Sequence, residues 1–177
     1  MILDSTLMLI LFAVTLGCFS LGALGALITA RAPGLARVVG HGGALLGAIA
    51  AFTFGLAGLA GGSMQMSIPD LLPIGGAAFV VDRLSAFFVV VIAVGAIPAT
   101  LYAIGYTREF AGKQSLAAMG FAFNIFVAAM FLVPLARNVL TFLALWELMS
   151  LASYFLVITE HEHEETLAAG WVYFVMT

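Results

Sequence analysis

Glu147 is the first residue whose placement suggests chemistry. It lies about a third to halfway along an apolar run, Val139 to Thr159, that is long enough to cross a bilayer. A carboxylate at that depth costs on the order of 3 kcal/mol even on a lenient insertion scale. Such a cost normally persists where the group relays ions, binds a ligand or pairs with a cation. On a helix, positions i+3, i+4 and i+7 share its face, which places Ser150, Leu151 and Tyr154 beside it. Ser153 and Thr141, each six positions away, fall on the flanks of that stripe. The stripe can hydrogen-bond a carboxyl group, hold water, or both. Low dielectric favours the neutral carboxyl and a nearby cation favours the ionised one, so a group held between those pulls exchanges protons. Glu147 is therefore read as a proton acceptor and electrostatic switch, tuned by Ser150 and Tyr154, with Ser153 the weaker contributor. The plainer alternative is a glutamate satisfied by neighbouring hydroxyls and serving helix packing alone. No Lys or Arg lies inside the fourth or fifth apolar run, so a cationic partner must come from elsewhere.

The other polar residues read more simply. Asp82 stands where the third helix needs an N-cap, and its carboxylate suits the backbone N–H groups and the helix dipole there. A proton entry or a hinge is the functional alternative. Asn124, inside the fourth run, either bonds across helices or joins a water chain. Pro98 should kink the third helix and free the Val94 carbonyl. The loop Glu160 to Glu165 resembles a metal site, but His161 and His163 are two apart and share no helical face, so a solvated acidic loop is expected. His41, at the entry of the second helix, is expected at the membrane interface. Cys18, the single cysteine, is a packing residue with no intrachain disulfide partner. With no phosphate loop, no nucleophile–base arrangement and no Cys/His spacing, the chain is expected to hold no flavin, haem, iron–sulfur centre or metal.

Composition settles the solvent. Of 177 residues, 64% are hydrophobic and 8% charged, and the charges gather in short clusters. A soluble domain of this size cannot hide that much apolar surface. No basic run suits nucleic acid. The amino-terminal apolar stretch is too long for a cleaved signal, and its first charge is Asp4 rather than a basic residue. Five complete spans are expected, at residues 3–29, 38–59, 84–106, 115–135 and 139–159, with a sixth beginning near Leu167. That last run is still apolar at Met176, so an amino-terminal fragment of a longer protein is expected, forming one all-α membrane domain over residues 1–177. Ala32-Pro33-Gly34, the segment Arg108 to Lys113, and Pro134 with Arg137-Asn138 read as the joints. Between the second and third spans, Met64, Met66 and Ile68 alternate with Gln65 and Ser67, and Ala77 to Val81 can return antiparallel. A short β-hairpin on the membrane surface is the expectation. Arg31, Arg37, Arg108 and Lys113 fall on one side and Arg83 and Arg137 on the other, which favours an amino terminus outside.

At Trp146-Glu147-Leu148-Met149-Ser150-Leu151 and its continuation Ala152-Ser153-Tyr154-Phe155-Leu156-Val157, the chain resembles the fifth-helix motif of the antiporter-like subunits. These occur in respiratory complex I, membrane-bound hydrogenases and multisubunit cation/proton antiporters. The continuation is most similar to that of hydrogenase-4 component B and the related formate hydrogenlyase membrane subunit. Val81-Asp82-Arg83-Leu84-Ser85-Ala86-Phe87-Phe88 resembles the family's opening of the third helix. The layout matches along the whole chain, the specific motifs over about 20 residues. The resemblance implies a multi-pass component of a bacterial inner-membrane redox complex that helps translocate protons, with Na+ as the alternative ion. Its partners would be other membrane subunits and soluble subunits carrying iron–sulfur clusters and a nickel–iron or quinone site. In that family the glutamate matching Glu147 faces a lysine on a later, broken helix. A complex I channel subunit, a sodium/proton antiporter subunit and a purely structural scaffold are the competing readings.

Overall fold

The computed structural model describes residues 5–72, 76–110 and 114–158, with nothing said of the Glu109 side chain. The expected sixth span and the Glu160–Glu165 loop lie outside the described residues. Five helices within them are long and apolar enough to cross a membrane. These are α1 (Ser5–Ile28), α2 (Pro33–Leu59), α3 (Arg83–Tyr106), α4 (Leu116–Leu132) and α5 (Val139–Val157). A 3-10 turn, Thr107–Phe110, extends α3, and a second, Val133–Leu135, ends α4 at Pro134.

α2 starts at Pro33, five residues before the expected boundary. A proline in the first helical turn carries no N–H to leave unpaired and its φ is already helical, so Pro33 opens the helix instead of separating two. The correction matters because it puts Arg37 and His41 one turn apart on a helix rather than in a loop. At the head of α3, Asp82 forms a reciprocal cap: Ser85 N and Ser85 Oγ donate to Asp82 Oδ1 at 2.8 and 2.6 Å, and Asp82 N donates to Ser85 Oγ at 3.1 Å. α3 runs on through Pro98 as one helix.

Strands β1 (Met64–Ile68) and β2 (Ala77–Val81) pair antiparallel with Met64 opposite Val81 and Ile68 opposite Ala77. The alternation is visible in burial, since Ala77, Phe79 and Val81 are buried. The hairpin is bonded to the start of α5: Arg137 N donates to Ala78 O at 2.8 Å, and Ala78 N donates to Thr141 Oγ1 at 3.1 Å. Phe79 joins Phe12, Phe54 and Phe131 in an aromatic cluster, with ring centroids 5.3 to 6.2 Å apart, that ties α1, α2, α4 and the hairpin into one core.

α2 packs against α1, α3 and α4, whereas α5 lies at the edge of the bundle, chiefly against α4. Small residues set the closest crossings. Gly22 of α1 meets Gly43 of α2 backbone to backbone, and Gly40 of α2 meets Gly120 of α4.

Candidate functional site

α5 begins at an Asn138 cap, whose Oδ1 accepts from Thr141 N at 2.7 Å while its Nδ2 donates to Gly76 O at 3.2 Å. Thr141 thus serves the hairpin and not Glu147. From Val139 the helix rises about 12 Å to Glu147 and about 15 Å more to Val157, so the carboxyl sits near the middle of the span.

Buried Thr141 and Ala152, and Leu145 against the core, mark the side of α5 that faces the bundle. At 100° per residue, Glu147 points almost directly away from them. It is exposed, flanked by exposed Leu143, Trp146 and Leu151. The expectation of a carboxyl enclosed within these helices is therefore corrected. The depth along the span agrees and the direction does not, because an edge helix leaves its far face open. Among the described residues Glu147 has no hydrogen bond or ion pair.

The face shared by Glu147, Ser150 and Tyr154 exists as expected, and its members differ in exposure. Ser150 is buried and Tyr154 half-buried. Ser153 Oγ donates to Ser150 O at 2.8 Å, which commits that hydrogen to the helix backbone. Asn124 belongs to a different place. Its Nδ2 donates to Gly40 O and Gly120 O, both at 2.8 Å, and its oxygen abuts Gly22, so it fastens α4 to α2 beside α1. Asp82 stands at the hairpin end of the bundle, near enough to Arg137 to feel its charge. The Ser85 hydroxyl bond, then the Ser85 backbone N–H, hold its carboxyl below the ordinary value. The structure gathers Glu147, Ser150, Ser153 and Tyr154 on α5 and leaves Asn124 and Asp82 apart.

Sequence reading missed a second polar locus, at the opposite end from the hairpin. His41 is not interfacial but buried, 2% exposed. Its Nε2 lies 3.3 Å from Thr107 Oγ1, and its ring meets Phe123 edge-on at 5.5 Å. The i, i+4 spacing of Arg37 and His41 among small residues was the available signal. A cavity of about 530 Å3 opens beside it, bounded by Tyr102, Tyr106 and Thr107 on one side and Leu156 and Val157 of α5 on the other. Between α4 and α5 runs a separate groove of about 550 Å3, lined almost wholly by apolar side chains such as Phe121, Ile125 and Phe155.

No family model matches the chain. Curated relatives do. An uncharacterised protein of Mycobacterium tuberculosis (strains CDC 1551 / Oshkosh and H37Rv) is 41% identical over 130 residues, which is 73% of this chain and 20% of that protein. Hydrogenase-4 component B of Escherichia coli (strain K12) is 44% identical over 93 residues, 52% of this chain and 14% of that protein. The chain thus spans a fifth or less of the length of the curated relatives it matches. Together with the five apolar helices, the similarity to a hydrogenase component identifies an integral membrane chain.

Proposed function

We propose that this chain is the amino-terminal part of a membrane subunit of a hydrogenase-4 or formate hydrogenlyase type complex, and that it contributes to proton translocation with Glu147 as the relaying group. The observation that carries the reading is an ionisable carboxyl at mid-span on the outward face of the edge helix. A carboxylate facing lipid there is costly, so the face is one that another helix covers with polar or cationic groups. The identity to hydrogenase-4 component B supports the type of complex. Oxidation and reduction belong to partner subunits carrying iron–sulfur clusters and a nickel–iron or quinone site, and the chain itself supplies protonatable groups and none of the redox centres. The membrane is the bacterial inner membrane, with the amino terminus and the hairpin outside and the Arg31, Arg37 and Arg108 end inside.

Glu147→Gln keeps size and hydrogen-bonding capacity and removes the exchangeable charge. In the full-length protein within its complex, assayed in sealed vesicles, proton translocation per electron should fall about tenfold or more while the amount of assembled complex is unchanged. Normal translocation in that variant rejects the role.

A further inference from the structure

The buried polar atoms around His41 define a direction. The Thr107 hydroxyl donates its only hydrogen to Ala103 O at 2.6 Å. Towards His41 Nε2, 3.3 Å away, the same oxygen is therefore an acceptor, and the hydrogen of a neutral ring resides on Nε2. Nδ1 is left as a lone-pair nitrogen. It is fully enclosed and has no partner among the described residues. One turn earlier on the same face of α2, Arg37 Nε is likewise enclosed and unpartnered. One atom is an acceptor and the other a donor. A single water that accepts from Arg37 Nε–H and donates to His41 Nδ1 answers both, which is the usual resolution of buried unpaired polar groups.

On its other side the ring opens on the cavity bounded by the last turn of α5. The charged or titratable groups near His41 are Arg37 on its own helix and, from α3 and the turn after it, Tyr102, Tyr106 and Arg108. α4 and α5 contribute Met119, Phe123, Leu156 and Val157, which carry no charge. The polar route thus runs from the Arg37 side, through a ring with two chemically distinct nitrogens, into a space touching α5. From Leu156 to Glu147 is about 13 Å along the helix, a stretch on which Tyr154 and Ser150 share the Glu147 face.

We propose that His41 is the relay residue of a proton inlet at the basic end of the bundle, feeding the α5 face that bears Glu147. A proton arrives at Nδ1 from water held by Arg37, and the hydrogen on Nε2 leaves past Thr107 into the cavity. Charge is conserved at the ring, which then carries its hydrogen on Nδ1 and resets by a flip about Cβ–Cγ. This inference rests on the reading of the chain as a proton-translocating subunit.

The test uses the full-length protein in its complex, in sealed vesicles, reading proton uptake against electron turnover. His41→Gln should lower uptake per electron about tenfold, in the range that loss of a positioned proton-transfer group produces. His41→Ala should be equally impaired and regain uptake with millimolar imidazole, but not with 1-methylimidazole, which lacks the second exchangeable nitrogen. A merely structural histidine would show no such selectivity. Normal uptake in His41→Gln overturns the proposal, as does equal rescue by both compounds. If the His41 variants fail to assemble, Thr107→Val decides: a severalfold loss supports the inlet, and normal uptake overturns it. Glu147→Gln is measured in parallel. Loss there with normal uptake in His41→Gln rejects the inlet alone, whereas normal uptake there with loss and selective rescue at His41 keeps the inlet and rejects Glu147.

Discussion

Gly42 and Gly43 are consecutive residues of α2, and alanine at each should have opposite effects. A Cβ on Gly43 would run into Gly22 Cα, lie 2.8 Å from Gly22 N and 3.1 Å from Cys18 O. Every one of these is backbone, so no side chain can swing aside and α1 must move away from α2. Overpacking of this kind costs about 1–3 kcal/mol, and an immovable backbone puts Gly43→Ala towards the upper end. A Cβ on Gly42 meets nothing within 4 Å. There only the intrinsic preference of a helix for alanine remains, worth up to about 1 kcal/mol. That preference applies to both variants and cancels in their difference, so Gly43→Ala should be less stable than Gly42→Ala by about 1–3 kcal/mol. Reversible unfolding of the purified full-length protein in mixed micelles with SDS, followed by circular dichroism, reads that gap directly. Midpoints of the two variants that coincide, or a milder effect at Gly43, would refute the close α1–α2 crossing.

Four further outcomes follow from the geometry. Asn138→Ala removes the cap of α5 and the bond to Gly76 O, and should cost about 0.5–2 kcal/mol in the same unfolding assay. Phe131→Ala empties the centre of the aromatic cluster and should cost about 3–5 kcal/mol, enough to lower the yield of folded protein in membranes. Because the Ser85 hydroxyl holds the Asp82 carboxyl below its ordinary 3.8, the cap's stabilisation is fully present above that value and is lost as pH falls through the lowered one. Wild-type stability should therefore drop on acidification below about pH 4 more than Asp82→Asn does, checked by the unfolding midpoint against pH. Asn124→Ala should cost about 0.6–1.7 kcal/mol for its one interhelical bond, with no change in proton uptake per electron, since its partners lie on α2 and α4 and not on α5.

What can be read from the residues, and what cannot, divides along a physical line. The length of an apolar run reports depth in the membrane, so all five helices are visible as runs, and the hairpin shows itself in the two-residue alternation from Met64 to Ile68. The period of a helix also shows that Ser150 and Tyr154 share the Glu147 face. Neither length nor period says which face meets a neighbour. Run length therefore puts Glu147 at the right depth without giving its direction, and an entry position on α2 suggests an interface for His41 although the bundle encloses it. Proline misleads at α2 because Pro33 ends a helix in mid-chain but starts one in the first turn. Asn124 is ambiguous in sequence because its partners are the carbonyls of Gly40 and Gly120, and backbone acceptors leave no signature in residue type.

The separation of faces on α5 bears on why a carboxyl tolerates this position. Packing against the bundle rests on Thr141, Leu145 and Ala152, while Glu147 lies on the opposite side of the same helix. Periodicity therefore lets the residue change without disturbing the contacts that hold α5 to α4. The cost of the charge, about 3 kcal/mol at mid-span, is not offset by any group among the described residues. Compensation must then come from whatever covers the outward face, and a positive or hydrogen-bonding group there would couple its own movement to the protonation of Glu147. A carboxyl buried between α4 and α5 would be fixed by packing. One at the edge can respond to a neighbour, and that is the property a relay requires.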